Sequence, residues 1–428
     1  MHRFTNIVSF SIICLAGSVG LQGRSQSLIK EIVESAKPVI AAEESYLEIT
    51  ADLSEGKYEA ALERLIPMAE WGMPVAQYLL GSCYANGSGV EQSFTLAEYW
   101  LRLSADQGQE SARYLLALLL IENIDLEEGI RLMQDCHKNG SMRATEALGS
   151  LYLEGELVPQ DVAKGMDFLK QAGASGSATA WYQIGQYFES RGSRSPDPRT
   201  YYLKAAQLSL PEACVKLGDM SAQGWLDAPI NAEDALNFYL EAIRLKHTPA
   251  YFKVGTVYET GILGERNKQR ALEWYEEGAK RGDVYALNRI GYMYLMGEGI
   301  EKDETTALKR FHEAASKDFA PAQVNYGGML EHGRGVESDP QEAVKWYALA
   351  ASQKDVDGLM NLARCFGDGV GIEQDVVVQR ALARLAGNEP WAVKIQFEAQ
   401  ASQEMIAEER VFYEKWNEDP TTILDLIK

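Results

Sequence analysis

Three cations stand in register along the chain: Lys216, Lys253 and Arg289 recur at steps of 37 and 36 residues. Side chains repeated at that interval and gathered on one wall would form a basic strip. Such a strip attracts a carboxylate, carried by an extended peptide tail or by the acidic face of a folded protein. The register continues into two amides, Asn325 and Asn361, and one position earlier in other stretches it holds Tyr78, Tyr114 and Tyr182. Neighbouring acids such as Glu259 offer the opposite outcome, a strip neutralised within the fold.

Other chemistries fit the residues less well. The Gly-x-Gly segments beginning at Gly87, Gly297, Gly333 and Gly369 invite comparison with a phosphate cradle. A cradle, however, follows a strand and opens a helix, so that free N–H groups face the anion. Here each glycine pair closes an apolar helical stripe, and left-handed termination of that helix is the expected role. Beyond the N-terminal stretch the histidines are His137, His247, His312 and His332; no two are four apart, and neither His-Glu-x-x-His nor Gly-x-Ser-x-Gly occurs. The reading is therefore of a non-enzyme with no catalytic residue, no metal site and no cofactor.

The register is explained by a repeat. From Val284 to Asp355 the same pattern is written twice, and Ala286 to Ala322 is a step of 36 residues. Within it Ala286, Ile290, Gly291 and Tyr294 lie at i, i+4, i+5 and i+8, one apolar stripe of a helix. Glycine inside a helix is disfavoured by about 1 kcal/mol against alanine, so Gly291 implies a close helix-to-helix approach. Gly297 then ends the first helix, and Asp303 is placed to cap a second. In the next unit Asp339 is followed by Pro340 and Glu342, a proline at the first helical position and an acid at the third. Traced outward, the landmark alanine is Ala76, Ala112, Ala144, Ala180, Ala213, Ala250, Ala286 and Ala322, with Gly358 in its place at the end. Nine consecutive units of two helices predict an all-α solenoid.

This pattern resembles the Sel-1-like repeat family, relatives of the tetratricopeptide repeats. It shares their alanine, Leu-Gly, tyrosine, Gly-x-Gly loop and second-helix motifs such as Ala271-Leu-Glu-Trp-Tyr275 and Ala343-Val-Lys-Trp-Tyr347. The resemblance implies a right-handed superhelix whose concave wall, built by the first helices, holds peptides or partner domains. On that implication Lys216, Lys253, Arg289, Asn325, Asn361, Tyr78, Tyr114 and Tyr182 are partner-binding candidates, and the protein is a scaffold or adaptor. The alternative is a cell-envelope receptor for a small ligand such as a sugar or peptidoglycan fragment.

Charge narrows the partners further. With 62 acidic and 41 basic residues the chain carries −21, and no run of lysine and arginine offers a stripe to phosphates. Nucleic acid is thus excluded as an expected partner.

The expected organisation is a signal peptide over residues 1–26, capping helices with a tetratricopeptide-like hairpin over 27–72, the array over 73–390, and a capping helix with tail over 391–428. Met1-His-Arg3 precedes the apolar stretch from Ile7 to Ala16, which is too short for a comfortable membrane span. Export to the periplasm or medium is the corresponding expectation, with no span in the rest of the chain. There Cys83, Cys136, Cys214 and Cys365 are read as buried thiols rather than disulfides, since their repeats lie far apart. Two units depart from the pattern. Leu115 to Ile121 is apolar on nearly every side and must pack on more than one face, for which the N-terminal segment is a candidate, or expose a patch. Gly192 to Pro198 replaces the usual loop and is expected to be exposed and mobile.

Overall fold

Apolar stripes of helical period, most of the first ones in a pair closed by glycine and the second ones opened by a capping side chain, build a chain of helix pairs. The computed structural model describes residues 46–225, 229–387 and most of 408–427, and the described residues contain no strand. The proposed signal peptide and the start of the proposed N-terminal cap lie outside the described residues. A first hairpin joins a helix over 46–54 to Tyr58–Glu70. Nine hairpins follow. Their leading helices are Pro74–Asn86, Glu110–Asn123, Met142–Glu154, Ala178–Ser190, Pro211–Gln223, Ala250–Thr260, Val284–Met296, Ala320–His332 and Val356–Asp368. Their trailing helices are Phe94–Asp106, Leu126–Lys138, Val162–Ala174, Pro198–Gln207, Ala232–Arg244, Lys268–Ala279, Glu304–Ala315, Pro340–Ser352 and Val376–Leu385. The helices group into two compact units, one ending at Ala180 and the other beginning at Trp181, so the division falls inside a helix rather than at a linker.

The landmark alanines are fully buried, and five residues after most of them a glycine lies directly against the trailing helix. In the unit from Trp181 the trailing helix presents a ring there. An added Cβ at Gly185 would lie 2.6 Å from the Tyr202 ring, at Gly291 2.7 Å from Phe311, and at Gly327 2.8 Å from Tyr347. In the unit up to Ala180 a leucine takes the place of the ring: Leu101 against Gly81 and Leu169 against Gly149. The second hairpin inverts the arrangement, with Ala117 on the leading helix and Gly129 on the trailing one, where an added Cβ would meet Ile121 at 2.7 Å.

The second hairpin also settles the apolar run from Leu115 to Ile121. Leu116, Leu119 and Leu120 pack onto the preceding trailing helix through Leu101 and Ala105, while Ala117 and Ile121 pack with Met133 and Cys136. Its two described neighbours therefore take up the run on both sides.

The glycine loops terminate helices as expected. Gly297 has φ 71°, and the following Glu298 N–H donates to the Met293 carbonyl at 2.9 Å, so these donors are spent inside the loop. The second glycine has a different task. Gly335, at φ 72°, passes so close to the preceding trailing helix that an added Cβ would lie 2.5 Å from the Glu304 carbonyl oxygen. Asp161, Asp303 and Asp339 cap as expected, accepting from the N–H groups of Lys164, Thr306 and Glu342. In the Gly192–Pro198 segment residues 194–196 are exposed, but Pro198 is buried and Asp197 caps the following helix.

At the C-terminal end the expected helix from Trp391 to Trp416 falls largely outside the described residues. Trp416 itself is buried, as is Ile423 on a 3-10 segment, Pro420–Ile427, and both join Leu359, Leu362 and Leu382 in the last core cluster.

All four described cysteines are buried and free, and burial pushes the Cys365 thiol up to about 11. Because the thiolate is the reactive form, alkylation by iodoacetamide at pH 8 should be slow in the native protein and fast in urea. Rapid native labelling of any of the four, read by mass spectrometry, contradicts this packing.

Adjacent glycines supply a second check. Gly327 faces the Tyr347 ring, whereas a Cβ on Gly328 would find only the Tyr347 hydroxyl at 3.6 Å. Gly327→Ala should therefore destabilise by about 1–3 kcal/mol through overpacking, while Gly328→Ala should be neutral or stabilise by up to about 1 kcal/mol through helix propensity. Equal urea midpoints for the two variants would show that the close approach is misplaced.

Candidate functional site

The three cations of the sequence register each meet a carboxylate from the preceding leading helix. Lys216 reaches Glu189 at 3.1 Å and Lys253 reaches Asp219 at 2.8 Å. Arg289 bonds Glu259 through two nitrogens and Glu298 at 2.6 Å. Each principal acid also receives a hydroxyl from the trailing helix of its own hairpin: Tyr202 donates to Glu189 at 2.5 Å, Tyr239 to Asp219 at 2.7 Å and Tyr275 to Glu259 at 2.8 Å. The ring that packs on the glycine thus places its oxygen on the acid, and the acid holds the next hairpin.

The expected basic strip is therefore compensated, the outcome that Glu259 foreshadowed. The physical reason is burial. The acids are more covered than the cations they meet, Glu259 at 15% exposure against 27% for Arg289, and a covered carboxylate without a partner is strongly unfavourable.

A fourth triad escaped the sequence register. Arg364 binds Glu331 at 2.6 Å, and Tyr347 donates to the same carboxylate at 2.9 Å. Arg364 sits three residues, nearly one helical turn, beyond Asn361, so a search at fixed spacing passes it over. The acids carry the better signal. Glu189, Glu259 and Glu331 each stand nine residues after a landmark alanine.

Between these triads one hairpin departs at all three positions. Its trailing ring is Phe311, which has no hydroxyl; the acid position is Leu295; the next cation position is Asn325. Asn325 instead donates to Asn288 at 2.9 Å and accepts the Tyr292 hydroxyl at 3.0 Å. The joint keeps its hydrogen bonds and loses its charge.

The remaining candidates are partly covered. Tyr78 and Tyr114 are half-buried against the clusters around Leu116 and Met133 respectively, and Tyr182 is tilted on the Tyr202 ring at 5.3 Å. Asn361 donates back to the Asp357 carbonyl of its own helix at 2.9 Å.

More of the leading helices stays accessible: beside Phe252, Asn288 and Val324, which continue the register of Tyr78, Tyr114 and Tyr182, stand positions that sequence reasoning assigned to no function. On Val284–Met296 the residues Tyr285, Asn288, Tyr292 and Met296 follow at steps of three, four and four and so share one face. Tyr285 is 50% exposed, Tyr292 37% and Met296 64%, large values for apolar side chains. The matching positions on the preceding leading helix are Pro249, Phe252, Thr256 and Thr260, and on the following one Pro321, Val324, Gly328 and His332. None of these positions is Asp, Glu, Lys or Arg, in a chain where charged residues make up 24%. Singly exposed apolar residues need no explanation, but here they stand in an uncharged band that runs across three neighbouring helices.

The triads also set a pH dependence. Burial alone would raise the Glu259 carboxyl, but the hydrogen bonds from Arg289 and Tyr275 outweigh it and hold the group below the ordinary glutamate range. Glu331 is held low in the same way by Arg364 and Tyr347 against its burial. A group depressed in the folded state contributes stability above its unfolded value, near 4.3, and that contribution is lost as pH falls through the folded value. The urea midpoint should therefore drop below about pH 4.3. Glu331→Gln should lower the unfolding free energy by about 1–3 kcal/mol at pH 7 and flatten the acid limb. An unchanged acid limb in that variant would remove Glu331 from the pH response.

Among the described residues no three His, Cys, Asp or Glu side chains gather as a metal site, and no helix is long and apolar enough to cross a membrane. Comparison with known proteins bears on the wall as a whole. The model of the family described as the Sel1 repeat matches residues 74–109, 143–177, 211–247, 248–283, 284–319, 320–355 and 356–383. A solved Sel1 repeat protein from Oxalobacter formigenes is 26% identical with a TM-score of 0.50, the alignment covering 70% of this chain and 88% of that one. A protective antigen of uropathogenic Escherichia coli strains, displaying an SLR fold, is 22% identical with a TM-score of 0.44, covering 92% and 96%. Among curated proteins, chitin synthase regulator SKT5 of Saccharomyces cerevisiae is 28% identical over 182 residues, 39% of this chain and 26% of that protein. The chain thus spans about a quarter of that relative's length.

Proposed function

The chain belongs to the Sel1 repeat family, and from that premise we propose that it is a non-enzymatic scaffold that binds a partner protein on the leading helices of its second unit. The observation that carries this reading is the uncharged band centred on Tyr285, Tyr292 and Met296. Burying it against a partner removes apolar surface from water without stripping any ion of its hydration. The charges nearest to it, Arg289, Glu259, Glu331 and Arg364, are already satisfied within the fold and need not be uncovered. A band laid across neighbouring helices suits a protein surface or segment better than an enclosed small molecule, whose sites are concave and cover most of the ligand.

The place of action is proposed to be outside the cytoplasm. Support comes from the sequence: a basic start at Arg3, an apolar stretch from Ile7 to Ala16, and small residues at Gly17, Ser18 and Gly20.

The scaffold reading is tested by affinity capture from an envelope extract with wild-type protein and with the double variant Tyr292→Ala, Met296→Ala. A captured protein should bind the variant at least about tenfold more weakly, the loss typical of truncating exposed anchors that become buried on binding. Circular dichroism should be unchanged. A partner held equally well by both proteins would remove the band from the function, and recovery of a sugar or other small ligand alone would overturn the scaffold.

A further inference from the structure

We propose that the occupant of this wall is an extended polypeptide segment with apolar side chains at its centre and lysine or arginine on both flanks, an inference that rests on the scaffold reading. The centre of the wall is the one joint where Phe311, Leu295 and Asn325 replace the triad, and it is also where Tyr292 and Met296 stand out. Apolar side chains of a ligand can cover this joint without desolvating an ion.

The same joint offers hydrogen bonds of one kind. The Asn288 side-chain oxygen accepts from Asn325, which leaves the Asn288 Nδ2 hydrogens with no acceptor among the described residues. A donor beside an apolar platform fits the carbonyl oxygens of an extended main chain, which recur along both of its edges.

Charge defines the flanks. One leading helix before the uncharged band, the corresponding face begins with Glu212; one leading helix after it, the face begins with Asp357 and ends with Asp368. All three are exposed. The His247 ring lies 3.8 Å from Glu212, whereas Asp219 and Arg364 on the same faces are tied to Lys253 and Glu331. Acidic borders on a chain of net charge −21 favour a ligand that is basic at both ends and repel one that is acidic there. The borders are four hairpin steps apart. At roughly 10 Å per step the wall spans about 40 Å, the reach of about 12 extended residues.

The test is selection of a naive phage-displayed dodecapeptide library on the full chain, followed by titration of synthetic copies of the enriched peptides. Enriched sequences should place two or more aromatic or branched apolar residues between flanks carrying Lys or Arg. Their binding should weaken at least about tenfold in the Tyr292→Ala, Met296→Ala variant and weaken as salt is raised. The triple variant Glu212→Lys, Asp357→Lys, Asp368→Lys should lose the basic-flanked peptide and gain its counterpart with glutamate flanks, with an unchanged circular dichroism spectrum. Acidic or uncharged flanks among the enriched peptides, or wild-type affinity in the triple variant, would overturn the inference. So would an empty selection; if capture from extract still yields a protein dependent on Tyr292, that failure leaves the scaffold reading standing.

Discussion

The contact on which the second unit depends is that of a ring edge against a bare helix backbone. Gly185, Gly218, Gly255, Gly291 and Gly327 each let Tyr202, Tyr239, Tyr275, Phe311 or Tyr347 lie where a methyl group would collide. That contact sets the separation of the two helices in a hairpin, as close packing of this kind does throughout protein interiors. It also aims the far end of the ring. Where the ring is tyrosine, the hydroxyl arrives at an acid on the leading helix, and the acid, anchored on one side, binds a cation of the next hairpin. One glycine thus governs both the packing inside a repeat and the polar link between repeats.

Much of this was legible in the residues because the backbone requirements are written there directly. Gly291 could not be explained by helix propensity, so a close approach followed. The caps at Asp161, Asp303 and Asp339 follow from local hydrogen bonding alone. The buried thiols follow from their place in the repeat. What periodicity could not supply was the direction in which a long side chain turns. Lys216, Lys253 and Arg289 were visible as a row, but their partners stand on another repeat, six or nine residues after its landmark alanine. Arg364 reaches the same kind of acid from a position nearly one turn later, which no fixed spacing detects.

The exposed band was hidden for a different reason. Tyr285, Tyr292 and Met296 are apolar residues in an apolar helix, and pattern reading assigns such residues to the core. Only the arrangement of neighbours shows that the core is already filled by Ala286, Leu287, Ile290 and Met293. Their helix has two apolar faces and one interior. The absence of charge from this one face of the three adjacent helices is likewise invisible in any single repeat, because it is a property of the row.

The joint at Phe311 bears on how the neighbouring links could be taken apart. A tyrosine–acid–cation link cannot be dismantled in any order. Loss of the cation first strands a covered carboxylate, as Glu331 would be without Arg364, since its side chain is only 6% exposed. Loss of the acid first leaves a lysine or arginine whose flexible stem can carry its head back to water. Of the three replacements seen here, Leu295 is therefore the one that opens a passable route, with Asn325 and Phe311 following once the carboxylate is gone. The order in which single substitutions can turn an intact link into a joint of this kind is, on that argument, constrained by hydration.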